Sequence, residues 1–328
     1  VGGAAVVIVG GGIAVLNIPK KLQQMINPPP PIGTTIYIYH GHTKGMRALA
    51  WSPNGNRVAT ASDDYTAQAW DATSGNNAIT YHGHTSYVEG IAWSPDGQKI
   101  ATGSADSTVQ IWDSTTGTTL YIYRGHTQWV NRVSWSSDGK YIVSGEQSSV
   151  GGQLVTAQVW DATNGKTLVT YRGHTNGIYA VALSPDNTQV ASSGYDGALQ
   201  IWNASTGNTI ATYKSGGAYL FGLSWSPDGA HVAVGTSNNT ALVIDARSGA
   251  VQFIYSGHAA WVKDVAWSSD GSRIASGSDD TMVHLWDSTT GSRLYTYAGI
   301  GHINAVGWAS DGQRLASGGD AVQVWEAK

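Results

Sequence analysis

The chain has 328 residues, enough to bury a large core, and one repeat architecture accounts for nearly all of it. Only 12% of its residues are charged, the formal net charge is −4, and no basic cluster occurs, which argues against a nucleic-acid partner because phosphate binding needs gathered Lys and Arg. Cysteine is absent, which excludes a disulfide framework, a thiolate metal site and a thiol nucleophile.

The first eighteen residues, VGGAAVVIVGGGIAVLNI, carry one polar side chain, Asn17. The first residue is Val rather than Met, so a processed chain or a fragment is expected. Residues 1–18 are just long enough for a membrane helix, with Lys20-Lys21 marking the boundary. Five glycines make that helix poor in water, while the Val and Ile residues favour extended pairing. No small-x-small site followed by a domain start marks a cleaved signal peptide. Two readings of this arm therefore stand: a membrane anchor, or a segment that joins neighbouring copies of the chain. Leu22, Met25 and Ile26 have the spacing of a short helical turn, and the prolines at 28–31 make a stiff extended spacer. Residues 1–32 thus form an arm and linker, and 33–328 a second unit.

From Gly33 the strand period takes over, and the segment 83–113 shows the unit: GHTSYVEGIAWSPDGQKIATGSADSTVQIWD. Val88, Ile91 and Trp93 belong to an inner strand, and Ser94-Pro95-Asp96-Gly97 reads as a hairpin turn with Gly at the positive-φ position. Residues 99–103 form a second strand and 108–112 a third. The run TLYIY at 119–123 is a fourth, outer strand, and its equivalents end at Tyr39, Tyr81, Tyr171, Tyr213, Tyr255 and Tyr297. Gly-His pairs recur at His42, His84, His126, His174 and His258. The units close at Trp70, Trp112, Trp160, Trp202, Ile244, Trp286 and Trp325, at spacings of 39 to 48 residues and mostly 42. The last unit stops three residues after Trp325 and lacks its outer strand, whereas a spare one, TIYIY at 35–39, precedes the first. Pairing the spare strand with the last unit would close the ring and leave no broken edge.

A fixed period in the forties with Gly-His and Trp-Asp ends resembles the WD40-repeat family. The resemblance covers residues 33–328 and implies an all-β fold, a seven-bladed β-propeller whose N-terminal strand completes the last blade. It also implies a buried hydrogen-bonded tetrad of His, Ser or Thr, Asp and Trp in each blade. The matching residues are His42, Thr60, Asp64 and Trp70; His84, Thr102, Asp106 and Trp112; His174, Ser192, Asp196 and Trp202; and His258, Ser276, Asp280 and Trp286. Blade three keeps His126, Ser144 and Trp160, but an insertion around 147–153 is expected to remove its Asp. Blade five has Gly216, Val234, Asn238 and Ile244, so its network should be gone. In blade seven Gly299-Ile300 is expected in the Gly-His slot, leaving His302 in an exposed loop.

A hydroxyl with His and Asp invites a hydrolase reading, but the set recurs four times with no oxyanion or nucleophile-elbow motif. Buried polar groups need partners, so a structural role is expected instead, with no catalytic residue. The histidines come one per blade without His-x-His spacing, and neither a metal nor a cofactor is expected. Three residues after each Gly-His histidine lies a loop on the propeller's top face, holding Gly45, Tyr87, Trp129, Gly177, Tyr219 and Trp261. Tyr87, Trp129, Tyr219 and Trp261 are the expected partner-binding face, because exposed aromatics concentrate binding energy. The plainer alternative is that each packs on a neighbouring loop. Arg47, Glu89, Asn131, Tyr179, Phe221 and Lys263 should border the central channel. The expected function is a non-enzymatic scaffold that binds protein partners or copies of itself, extracellular or at the cell surface, assembling into fibres through the arm. The alternative follows from a likeness to bacterial membrane-anchored proteins of this family, some with a kinase domain: an extracytoplasmic sensor held in a membrane through residues 1–18.

Overall fold

The computed structural model describes residues 30–148 and 155–328 in full, and the backbone of 4–9 and 12–17. Seven four-stranded antiparallel sheets form a propeller, and the described residues contain no helix. In blade one the strands run Met46–Trp51, Arg57–Ser62, Ala67–Asp71 and Ile79–Tyr81, from the centre outwards. Blade seven takes three strands from the C-terminal end, and its fourth is Thr35–Tyr39, which pairs antiparallel with Val322–Glu326. The Gly33 N–H donates to the Glu326 carbonyl at 2.7 Å, and the Glu326 N–H donates to Thr34 at 2.9 Å. The two ends of the propeller therefore share one ladder, and the ring has no open seam.

The core lies between blades rather than within one. Ala59, Ala61, Ala67 and Ala69 of blade one pack against Val88, Ile91, Ile100 and Trp112 of blade two. Small residues on one sheet face a large ring on the next, and the radial wedge of the propeller can close. Each closing Trp is fully buried: Trp70, Trp112, Trp160, Trp202, Trp286 and Trp325. The outer-strand tyrosine of the preceding blade stacks on it. Tyr39–Trp70, Tyr81–Trp112, Tyr123–Trp160, Tyr171–Trp202, Tyr255–Trp286 and Tyr297–Trp325 have ring centroids 4.2 to 4.9 Å apart and are nearly parallel. Each such pair staples two blades, adding about 0.5–1.5 kcal/mol beyond the area it buries. Tyr39 comes from the N-terminal strand, so the closing strand holds blade one as well as blade seven.

The turns follow the sequence pattern, with Gly97 at φ +71° in the first hairpin. The expected surface loop at 147–153 lies largely outside the described residues. At the N-terminus Ala4–Val9 pairs antiparallel with Gly12–Asn17 as a separate two-stranded sheet. The expected turn at Leu22, Met25 and Ile26, and what the arm packs against, lie outside the described residues. No helix among the described residues is long and apolar enough to cross a membrane.

Candidate functional site

The loop that leads into each inner strand carries the Gly-His pair. The glycine allows close approach: a Cβ on Gly83 would lie 2.1 Å from the Tyr81 hydroxyl and 2.4 Å from Gln110 Oε1. With that room, Tyr81 donates to Gln110 at 2.5 Å across the blade boundary, and Gln110 donates to the Gly83 carbonyl at 3.2 Å. The histidine then turns inward. In blade two His84 Nδ1 lies 2.8 Å from Asp106 and Nε2 lies 2.8 Å from the Thr102 hydroxyl. Asp106 also accepts the Thr85 and Thr108 N–H groups and the Thr108 hydroxyl. Burial pushes the Asp106 carboxyl up, but the hydrogen bonds and the charge of His84 hold it well below the usual range. His42 with Asp64 and Thr60, His174 with Asp196 and Ser192, and His258 with Asp280 and Ser276 repeat the arrangement.

The fourth member divides the blades by one methyl group. Where the hydroxyl belongs to serine, the tryptophan N–H reaches it: Trp202 to Ser192 and Trp286 to Ser276, both at 3.2 Å, and Trp160 to Ser144 at 3.0 Å. Where it belongs to threonine, Trp70 and Trp112 have no acceptor, so blades one and two carry triads rather than the expected tetrads. The branched side chain is stiff at χ1, and its hydroxyl leans towards the Gln68 and Gln110 carbonyls at 3.4 and 3.3 Å.

Blade three corrects a further expectation, because its acid is not lost. Glu146, two residues after Ser144 instead of four, accepts the Thr127 N–H at 2.9 Å, the Thr156 N–H at 2.7 Å and the Thr156 hydroxyl at 2.9 Å. These are the roles that Asp106 fills in blade two, reached from nearer by a side chain one methylene longer. His126 Nδ1 lies 3.1 Å from Glu146 Oε1 without completing a hydrogen bond of good geometry. Glu146 is 2% exposed. Burial pushes its carboxyl up, and the contacts with His126 and Thr127 bring it down to about 2.

In blade five Val234, Leu242 and Ile244 fill the Ser, Gln and Trp slots as one apolar cluster. In blade seven the ladder aligns Val306 with Val265, opposite Ser317 and Ser276. That register puts Gly299, rather than Ile300, seven residues upstream in the histidine slot. Ile303 fills the space: a Cβ on Gly299 would lie 2.3 Å from its side chain. His302 is exposed and meets the Asp279 carbonyl at 2.9 Å.

The hydroxyl that meets each histidine, on Thr60, Thr102, Ser144, Ser192 and Ser276, belongs to a fully buried residue, so no substrate from solution reaches it in this conformation. Among the described residues no three His, Asp or Glu side chains converge as a metal site.

The top face holds the exposed chemistry. A recess at the channel mouth is lined by Arg47, Glu89, Asn131, Tyr179 and Lys263, together with Tyr87 and Trp129. Phe221, also expected at the channel, is buried beneath Trp261 and Tyr179 instead, at ring distances of 5.6 and 5.1 Å. Tyr219 and Trp261 are 42% and 43% exposed and belong to one aromatic ledge, joined through Tyr195 and Phe221. Tyr87, 36% exposed, leans on Tyr65 of blade one at 5.4 Å. Trp129 is half-buried at the recess rim. The four aromatics therefore divide between a ledge and a rim; Tyr87 and Tyr219 also pack on a ring of a neighbouring loop, and Trp261 on Phe221 of a neighbouring inner strand.

Four residues near the recess were not legible in the repeat. Arg132 lies over Tyr179 at 5.2 Å and donates to the Glu89 carbonyl at 2.5 Å. Tyr195 links the ledge, and Tyr65 takes φ +70°, uncommon for a bulky residue. Asp264 accepts the Val306 N–H at 3.0 Å, and burial pushes its carboxyl up to about 6 against the pull of Arg132. Arg132 and Asp264 each follow a channel position, Asn131 and Lys263, which side-chain alternation alone does not select, whereas Tyr65 and Tyr195 follow second strands. Arg47 pairs with Asp63 through two 2.7 Å bonds. Burial raises the Glu89 carboxyl and lowers the Lys263 ammonium. Lys263 stands over Phe221 and Trp261 at 4.6 and 5.3 Å.

Comparison with protein families matches the model described as WD domain, G-beta repeat, seven times: residues 33–71, 75–113, 117–154, 165–203, 207–245, 249–287 and 291–322. Comparison with curated proteins returns no match.

Proposed function

The chain belongs to the WD-domain, G-beta repeat family, and from that premise we propose that it is a non-enzymatic protein-interaction scaffold that binds on its top face and joins copies of itself through residues 1–18. The observation that carries the binding face is the ledge of Tyr195, Tyr219 and Trp261 beside the polar recess. Exposed rings next to convergent charges are the composition of an interface centre. What supports self-association is the sequence of the arm, one polar residue in eighteen, and a propeller surface with little charge to oppose stacking. A head-to-tail contact between arm and neighbour does not close on itself and builds a fibre. The reading includes an extracellular or cell-surface location.

Two experiments test it. The double change Tyr219→Ala with Trp261→Ala should weaken a captured protein partner by about 2 kcal/mol or more while the fold melts nearly as before. Collapse of the thermal transition instead would show that the ledge only packs loops together. Removal of residues 1–31 should convert long assemblies into monomeric propellers in detergent-free sedimentation. Full-length protein that is soluble only in detergent, and small there, would favour the membrane anchor.

A further inference from the structure

Where the second strand of a blade starts, blades one, six and seven carry an arginine that reaches into the next blade. Arg57 lies over Trp93 at 5.5 Å and donates to the carbonyls of Ser114 at 2.7 Å and Ala69 at 3.0 Å. Arg273 lies over Trp308 at 4.6 Å and donates to Ala327 and Gly312 at 2.6 and 3.0 Å. Arg314 lies over Trp51 at 5.3 Å and donates to Gly55 at 2.7 Å. Each guanidinium combines stacking on an indole with planar donation to carbonyls, which its geometry suits.

The strand register puts His231 of blade five in the same position, opposite Asp245 as Arg57 is opposite Asp71. The surroundings of an arginine persist there without the arginine. Trp267 stands where Trp93 does, and Ser288 and Val243 are the counterparts of Ser114 and Ala69. All three line a cleft between blades five and six, which runs past His231 to Phe253. At the junction of blades one and two the corresponding cleft is lined by Arg57 itself and does not extend to Ala69 or Ile79. Among the described residues no cation stands over Trp267. Two carboxylates, Asp228 and Asp270, line the cleft and cap their own turns through Oδ1 alone, leaving each Oδ2 without a hydrogen bond. The other junctions lack this combination: Lys99 occupies the arginine's position at the second, Leu183 replaces the tryptophan at the third, and Arg247 lines the cleft at the fourth.

We propose that the cleft between blades five and six receives an arginine side chain from a partner protein, which stacks on Trp267 and donates to the Ser288 and Val243 carbonyls between Asp228 and Asp270. The cleft lies at the opposite end of the inner strands from the Gly-His loops. It is a second docking point, separate from the top face, and does not depend on what binds there.

The probe is Nα-acetyl-arginine methylamide, with the citrulline analogue as its uncharged isostere, and the readout is the Trp267 indole resonance of the full chain. The arginine probe should shift that resonance saturably, and the citrulline probe should bind at least about tenfold more weakly because the charge-assisted bonds and the cation–π contact are lost. His231→Arg should abolish the response by filling the cleft from within. Asp270→Asn, a surface change that keeps the turn-capping oxygen, should weaken it several-fold. Equal shifts from both probes, a response undiminished in His231→Arg, or no shift of Trp267 at all would overturn the proposal.

Discussion

Blades four and five are neighbours with the same four-strand plan and opposite interiors. Blade four closes a chain from the Trp202 N–H to Ser192, from Ser192 to His174, and from His174 to Asp196, with Tyr171 stacked on Trp202. Blade five has Gly216, Val234, Asn238 and Ile244 in those places and Leu242 in the glutamine slot, while Tyr213 meets no ring there. Both sheets keep all three antiparallel pairings, interrupted only by bulges. The comparison teaches that a blade is made by strand pairing and inter-blade packing, not by its polar network. It also shows why the slots change together: a buried network with one member missing leaves orphaned groups and is worse than an apolar interior. Blade three obeys the same logic by another route, since its network survives through Glu146.

The comparison can be broken most forcefully at the large side chains. Trp202→Ala should cost about 3–5 kcal/mol through the cavity it leaves, and Ile244→Ala about 2–5 kcal/mol for the same reason, both read by equilibrium urea unfolding. If only the tryptophan change destabilises, blade five is not a packed equivalent. The next test separates network from packing. Asp196→Ala strands the His174 ring and the Thr175 and Ala198 N–H groups and should cost about 1–3 kcal/mol. Asn238→Ala, at the matching but exposed position, should stay within about 0.5 kcal/mol. Equal losses would mean that Asn238 carries a role absent from the hydrogen bonds described.

A third prediction concerns pH and blade six, where His284 replaces the glutamine of the other networks. It stacks on His258 at 3.9 Å and meets the Tyr255 hydroxyl at 2.9 Å, with Asp280 and Arg293 as the other charges it feels. Burial first, and the charge of His258 second, lower its pKa to about 4. A folded pKa below the unfolded value of about 6.5 means that the unfolded chain binds the proton more readily. The stabilisation is present above the unfolded pKa and is lost as pH falls from about 6.5 through about 4. His284→Gln should flatten that decline, so the variant melts relatively higher at pH 4.5 than at pH 7 when compared with wild type. Parallel melting curves for the two proteins across this range would exclude His284 as the titrating group. The smallest expected effect is Thr102→Ser, which offers the Trp112 N–H an acceptor and should gain about 0.5–1 kcal/mol. A loss of stability would show that the threonine methyl contributes more by packing than the missing hydrogen bond would.

The period, the blade count, the closing role of Thr35–Tyr39 and the His, hydroxyl and Asp members of the networks in blades one, two, four and six were legible in the residues. Each depends on local pattern: strand alternation, turn chemistry and a repeat that reports on itself. The substitution of Glu146 for an aspartate two positions away was not legible, because what matters there is where the carboxylate arrives after an insertion, not its place in the register. The one-residue shift in blade seven was hidden similarly, since Gly299 holds the slot only by virtue of the strand pairing. Which tryptophans find an acceptor turns on a rotamer. The Tyr–Trp staples and the arginines at Arg57, Arg273 and Arg314 join rings of different blades, roughly thirty to forty positions apart or at opposite ends of the chain, and only the packing of blade on blade brings them together. Sequence determined what each blade is made of; tertiary structure decided what passes between blades, because packing distances and side-chain reach are set by the neighbour and not by the repeat.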